Sequence, residues 1–204
     1  MKFNHIVSLG FYCGVSQELQ RLGLREESFP FDWVISDLKS VNELIENKFD
    51  LLFDSDYLYR DKNYSYIVKH ENYNFDFYHD FDKDKTIEEQ IDLVRAKYNR
   101  RITRFYDLLN SSGLVLFVCY LNDSELSEIP NQISKLITIL NRYNLTYRII
   151  FVKNHGTILS PIPDDIHILH FFDTEKNKND YVNRRFIKET PEIYNFFKNE
   201  FKYI

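Results

Sequence analysis

The run Leu114 to Tyr120, LVLFVCY, carries no charged residue and shows no polar side along its length. A strand that is apolar on both faces must be covered on both faces. That is the pattern of a parallel sheet with helices packed against it. Three other short runs read the same way: HIVSL at His5 to Leu9, YRIIFV at Tyr147 to Val152, and IHILHFF at Ile166 to Phe172. Between them the period changes. Val15, Leu19, Leu22 and Leu24 fall on about one helical face, with Gly23 as a stop. Leu38 to Phe49 predicts a weak amphipathic helix, and Ile129 to Tyr143 and Thr190 to Phe201 predict two more.

Thr86 to Leu109 predicts a long helix. Ile87, Ile91, Val94, Tyr98, Ile102, Phe105 and Leu109 recur at three or four, and Thr86 with Glu89 forms a capping box. Strands alternating with helices predict an α/β fold, a three-layer sandwich around a mostly parallel central sheet of about four strands. Residues 55–82 break this rhythm. Polar and aromatic residues alternate there (YSYIVKH, then FDFYHDF), which predicts an inserted β-hairpin. No linker or repeat divides the 204 residues, so the whole chain reads as one α/β domain.

Composition narrows the function. The net charge is -5 with no Lys/Arg block, which excludes an evident nucleic-acid partner. No window approaches the roughly 18 apolar residues of a membrane span. The N-terminus lacks a signal peptide's cleavage pattern. Two cysteines, Cys13 and Cys119, give neither a disulfide framework nor a zinc spacing. The expectation is a cytoplasmic protein with reduced thiols, no membrane association, no cofactor and no metal. The sequence does not specify an oligomeric state.

Cys13 lies in GFYCGVS, where the first strand turns into the first helix. Amide N–H groups and the helix dipole at such a place stabilise a thiolate. The same amides, at Cys13 and Gly14, could receive a developing oxyanion. Cys119 sits inside the apolar run and reads as a core thiol. A thiolate needs a base. His79, in FDFYHDF, ends the aromatic segment, and Asp76, Asp80 or Asp82 could hold its tautomer. His155 follows a strand and is a second candidate. Asp164 and His167 form a D-x-x-H pair of the kind SGNH-type hydrolases carry near the C-terminus, and His170 lies on the opposite strand face from His167. Asp32 sits in the aromatic, proline-fixed loop FPFDW beside Trp33; it could accept backbone hydrogen bonds or orient His79. Arg100, Arg101 and Arg104 on the long helix could pair with loop carboxylates or grip an anionic substrate.

The stretch SLGFYCGVSQELQRLGLREESFPFDW resembles the signature of a domain-of-unknown-function family of papain-like cysteine peptidases. Ser8, Leu9, Gly10, Cys13, Leu19, Gly23, Leu24, Arg25, Ser28, Pro30, Phe31, Asp32 and Trp33 stand in the pattern's places. The resemblance continues through Phe77, His79, Asp80 and Phe81, then through Tyr98, Arg100, Arg101, Ile102, Arg104 and Phe105. It implies a Cys13–His79 pair with an acidic partner, Asp80 or Asp32. Gly14, Arg101 and Trp33 are then candidates for the substrate or oxyanion side. The implied chemistry is thiolate attack on an acyl or peptide carbonyl and transfer of the acyl group to water. An acyltransferase with the same pair is an alternative, and so is a non-catalytic binding module whose aromatic hairpin meets a partner. A true papain topology does not suit the strand–helix alternation. An SGNH-like or flavodoxin-like layering, with Cys13 where SGNH enzymes carry serine, suits it better.

Overall fold

The computed structural model describes residues 3–121, 128–153, 167–170 and 191–200. It is a mixed α/β structure with two sheets. The first is parallel and contains β1 (His5–Ser8), β6 (Leu114–Leu121), β7 (Thr146–Lys153) and β8 (His167–His170), in that order. The register pairs Val7 with Phe117, Phe117 with Ile149, and Ile150 with His167. The second is antiparallel and joins β2 (Val34–Ser36), β5 (Phe75–Phe77), β4 (Val68–His70) and β3 (Leu58–Arg60).

The second sheet contains the expected antiparallel pairing within residues 55–82 and extends it. That segment supplies three strands, and β2, from the loop after the first helix, pairs with β5 as the fourth. The reason lies in VIS at 34–36. Three residues are too few for a visible period, yet Val34 and Ser36 are both fully buried once β5 is beside them.

Five helices complete the description: α1 (Gly14–Arg21), α2 (Leu38–Glu46), α3 (Ile91–Leu109), α4 (Ile129–Leu140) and the helix Pro191–Glu200. Helix α4 joins β6 to the neighbouring parallel β7, the βαβ unit that the alternation predicts. The Thr86–Glu89 capping box forms: Thr86 N donates to Glu89 Oε2 at 2.7 Å and Glu89 N to Thr86 Oγ1 at 3.2 Å. It closes a turn that precedes α3 rather than the helix proper.

β6 shows why its sequence is apolar throughout. Val115, Phe117, Cys119 and Leu121 belong to one core with residues of α2, α3, α4 and the second sheet. Leu116, Val118 and Tyr120 belong to another, with Val15 and Leu19 of α1 and with Ile193 and Phe197. Both faces of the strand are covered, and Cys119 is a packed thiol, 2% exposed. The sheet's order puts the carboxyl ends of β1 and β6 side by side, and the residues after β1 run directly into α1.

A buried histidine on β4 fastens the second sheet to the segment after α2. His70 Nε2–H donates to the Leu51 carbonyl at 3.1 Å, and its Nδ1 accepts the Asn72 N–H at 3.1 Å. The ring packs against Tyr73 and Tyr57, with centroids 4.7 and 5.8 Å away. Both nitrogens are therefore committed in the neutral form. Burial lowers the His70 pKa below its ordinary 6.5, against smaller upward pulls from the Leu51 carbonyl, Asp54 and Glu71. The unfolded chain then binds a proton at this site before the folded one does. Stability is full above pH 6.5 and falls as the pH drops below that value. Thermal unfolding followed from pH 7.5 to 5 should show this decline, and His70→Gln should flatten it. A slope unchanged by that substitution would remove His70 as its source.

Candidate active site

Cys13 is the N-cap residue of α1. Its carbonyl accepts the first helical hydrogen bond, from Gln17 N at 2.9 Å. Two glycines make its position possible. Gly10 adopts φ +92°, and a Cβ there would lie 2.2 Å from Ser36 Oγ. At Gly14 a Cβ would lie 2.2 Å from the Tyr12 ring, which folds back over the start of the helix. Gly14 is thus needed for close approach.

Cys13 is half-buried and opens into a cavity of about 270 Å³. Phe11, Tyr12, Trp33, Val34, Ile35 and Tyr78 wall it. His79, reached at the end of β5, lines the same cavity. Two residues 66 apart in sequence are brought to one site because β2 follows α1 and pairs with β5. Val34 and Ile35 of β2 form one wall, and the residues just past Phe77 form the opposite rim.

Electrostatics at the pair differ from what the helix dipole alone suggests. Burial is the largest influence on the Cys13 thiol and pushes its pKa above the ordinary 9.0; its own backbone N–H pulls the other way and is weaker. His79 is lowered from 6.5, first by partial desolvation; Asp80 raises it and Lys97 lowers it further. Both shifts favour the neutral thiol beside the neutral imidazole.

The two acidic candidates are engaged elsewhere. Asp80 is bonded to Lys97 Nζ and accepts Tyr98 Oη–H at 2.9 Å. It influences His79 through its charge rather than by a hydrogen bond. Asp32 accepts four hydrogen bonds: Ser16 Oγ at 2.6 Å, Arg25 Nε at 3.0 Å, Arg25 Nη2 at 2.9 Å and Phe29 N at 2.9 Å. Among the described residues no carboxylate hydrogen-bonds the His79 imidazole. Aromatic rings flank it instead: Tyr78 at 4.9 Å and the edge of Trp33 at 6.4 Å.

Trp33 holds that position under strain. Its φ is +66°, in the left-handed region that a bulky residue rarely adopts. The Arg25 guanidinium lies over its ring, 5.3 Å from the centroid. A chain of support therefore runs from Asp32 to Arg25, to Trp33, to His79. Arg104 reinforces it from α3 by donating to the Ser28 carbonyl at 2.5 Å and pairing with Glu27 at 3.1 Å.

Arg101 does not line the cavity. It is buried over the Tyr98 ring at 4.9 Å, and its Nη1 has no hydrogen-bond acceptor among the described residues. His155, Asp164 and the side chains of His167 and His170 lie outside the described residues. No helix among the described residues is long and apolar enough to cross a membrane, and no cluster among them has the makings of a metal site.

Two cavity residues escaped the sequence reading. Gln17 lies four after Cys13, on the same face of α1, and its Oε1 is buried with no hydrogen-bond partner among the described residues. The i, i+4 spacing from Cys13 was the available signal. Tyr78 hydrogen-bonds Tyr66 through their hydroxyls at 3.2 Å, and its pKa is pushed up to about 12, chiefly by that bond. Cys13 is among the groups that raise it, so the phenol lies within electrostatic reach of the thiol. Nothing in its sequence position marks it.

Cys13, at the N-terminus of α1, and His79, just past β5, thus face one cavity. Residues 4–156, well over half the chain, match the family "Putative papain-like cysteine peptidase (DUF1796)", and the chain belongs to that family. It is also similar to the uncharacterized protein R408 of Acanthamoeba polyphaga mimivirus, 32% identical over 133 residues, covering 55% of this chain. The match spans 59% of that relative's length. No solved structure matches the chain.

Proposed function

We propose that the protein is a cysteine-nucleophile hydrolase of the peptidase type, with Cys13 as nucleophile and His79 as its base. The observation that carries this reading is the shared cavity: the half-buried thiol and the imidazole line the same space. Cys119, the other thiol, is sealed in the core.

Because both groups rest neutral, His79 acts when the carbonyl arrives. The thiol proton passes to the imidazole as sulfur bonds to the carbonyl carbon, and the carbonyl electrons move to oxygen. The amide N–H groups at the start of α1, Gly14 among them, would receive that oxyanion. Collapse breaks the C–N bond. The amine leaves with the proton from His79, and a thioester remains on Cys13. His79 then takes a proton from water as the hydroxyl attacks the thioester. The acid departs, and the proton returns to sulfur. Asp32 and Trp33 position His79 in this scheme, and Asp80 tunes it through charge. Arg101 has no assigned contact with substrate.

Alkylation by iodoacetamide across pH tests the pair. Cys13 should be alkylated more readily than the packed Cys119 at every pH, and His79→Ala should slow Cys13 further at neutral pH, leaving its reaction to rise only above pH 9. A Cys13 as inert as Cys119, or one indifferent to His79→Ala, would overturn the assignment.

A further inference from the structure

The cavity beside Cys13 has a chemical character of its own. Apart from the thiol, His79 and Gln17, its walls are aromatic and aliphatic. Among the described residues no Lys, Arg, Asp or Glu lines it. Its volume, about 270 Å³, exceeds the roughly 150 Å³ apolar cavity that accepts benzene. It is small for a drug-sized site of about 300–1,000 Å³. The space suits one bulky side chain and little more.

Gln17 is the one side-chain amide in this lining, and its Oε1 is buried without a hydrogen-bond partner among the described residues. A buried acceptor left unbonded is costly, so it is a place where a ligand donor gains. Carboxamide oxygen accepts and does not donate. An N–H beside the apolar group would meet it; the ester or thioester of a fatty acyl chain has none to give.

At the rim the surface continues as a ladder of tyrosines. Tyr78 meets Tyr66 at 5.3 Å, and Tyr66 meets Tyr64 at 5.9 Å. Tyr64 and Tyr66 are 55% and 37% exposed. Contiguous exposed aromatics next to a cleft give an extended chain a surface to lie on.

We infer that the substrate is a peptide with a bulky apolar residue on the acyl side of the bond attacked, its side chain in the cavity between Trp33 and Ile35 and its N–H on Gln17 Oε1. The inference rests on the catalytic reading of Cys13 only for which bond is cut; the cavity's preference is measurable without turnover.

Chloroacetamides provide the probe, since they alkylate Cys13 with loss of chloride and need no catalysis beyond the thiolate. Three are compared on the full chain: 2-chloroacetamide, N-benzyl-2-chloroacetamide, and its N-benzyl-N-methyl analogue, which lacks the N–H. Burial of the benzyl group should make the second react with saturation, about ten- to a hundredfold faster at low concentration than the first. The N-methyl analogue should lose about five- to tenfold of that gain, and Gln17→Leu should erase this difference. Ile35→Phe, which fills the space, should shrink the benzyl advantage, read as a ratio within the variant. Unreactive N-benzylacetamide should protect wild-type Cys13 from 2-chloroacetamide, a check that needs no variant.

Equal rates for the first two probes, or no protection, would overturn the substrate class. If those rates still fall on His79→Ala, the catalytic pair stands without it. A benzyl advantage that survives while alkylation ignores His79→Ala keeps the pocket and removes the pair. A benzyl advantage untouched by Ile35→Phe, with the N-methyl probe as fast as its parent, would place the selectivity outside this cavity and also overturn the proposal.

Discussion

Asp32→Ala is expected to lower the unfolding free energy by about 3–5 kcal/mol, the range for removing one partner of a buried ion pair. For a chain of this length, each kcal/mol shifts the melting temperature by about 2–4 °C, so the loss is easy to see. Asp32 is 1% exposed and its carboxylate receives four donors. Alanine leaves the Arg25 guanidinium, 13% exposed at its side chain, without its charge partner. It also strands the Ser16 hydroxyl and the Phe29 amide. Asp32→Asn keeps one acceptor oxygen and should fall between the two. Lys83–Asp84 provides the contrast: at 61% and 75% exposure that pair is solvated, and Asp84→Ala should leave the melting temperature unmoved. Denaturant titration of the three variants decides the matter. A loss below about 1 kcal/mol for Asp32→Ala would mean that the loop is held by its apolar contacts instead.

The parallel sheet was legible because its signal is local and strong. β6 is apolar on both faces, and both of its faces are packed. The strand–turn–helix around Cys13 was legible for a similar reason, since the change of period from β1 to α1 occurs within a few residues. The second sheet was not. β2, β3, β4 and β5 are three residues each, and their pairing is decided by Phe75, Phe77, Val68 and Val34 meeting in one core. No window of sequence contains that fact.

The site follows the same division. Cys13 and His79 could be named from their surroundings, because a thiol at a helix start and a histidine at a strand end are positions with chemical consequences. Which acid serves His79 could not. Proximity in sequence pointed to Asp80, yet Lys97 and Tyr98 arrive from α3 and take its oxygens. The role left for Asp32 is indirect and depends on Arg25 reaching both the carboxylate and the Trp33 ring. The direction of the Cys13 shift was also out of reach. The dipole argument points down, whereas burial pushes the thiol up and outweighs the pull of its own backbone N–H.

His79→Ala should reduce kcat/KM on a cleaved substrate by about 10²–10⁴, the usual contribution of a positioned general base, and Cys13→Ala should abolish turnover. The pH profile separates this mechanism from a preformed ion pair. In an ion pair the imidazolium holds the thiolate, and the acidic limb then lies near pH 3–4, as for a histidine-paired papain thiolate. Here desolvation works against both charges: the thiol is raised above 9.0 and the imidazole lowered below 6.5. A lowered imidazole pKa means that the base is free throughout the neutral range and becomes protonated only in acid. Activity should therefore rise through a limb below pH 6.5 and run level to at least pH 9, the two limits belonging to the coupled pair rather than to either residue. In His79→Ala the plateau should vanish, and the residual rate should climb with pH toward the unaided ionisation of Cys13. An acidic limb near pH 3–4 in the wild type would show that thiolate and imidazolium already coexist at rest. A limb unchanged by His79→Ala would show that another group supplies the base.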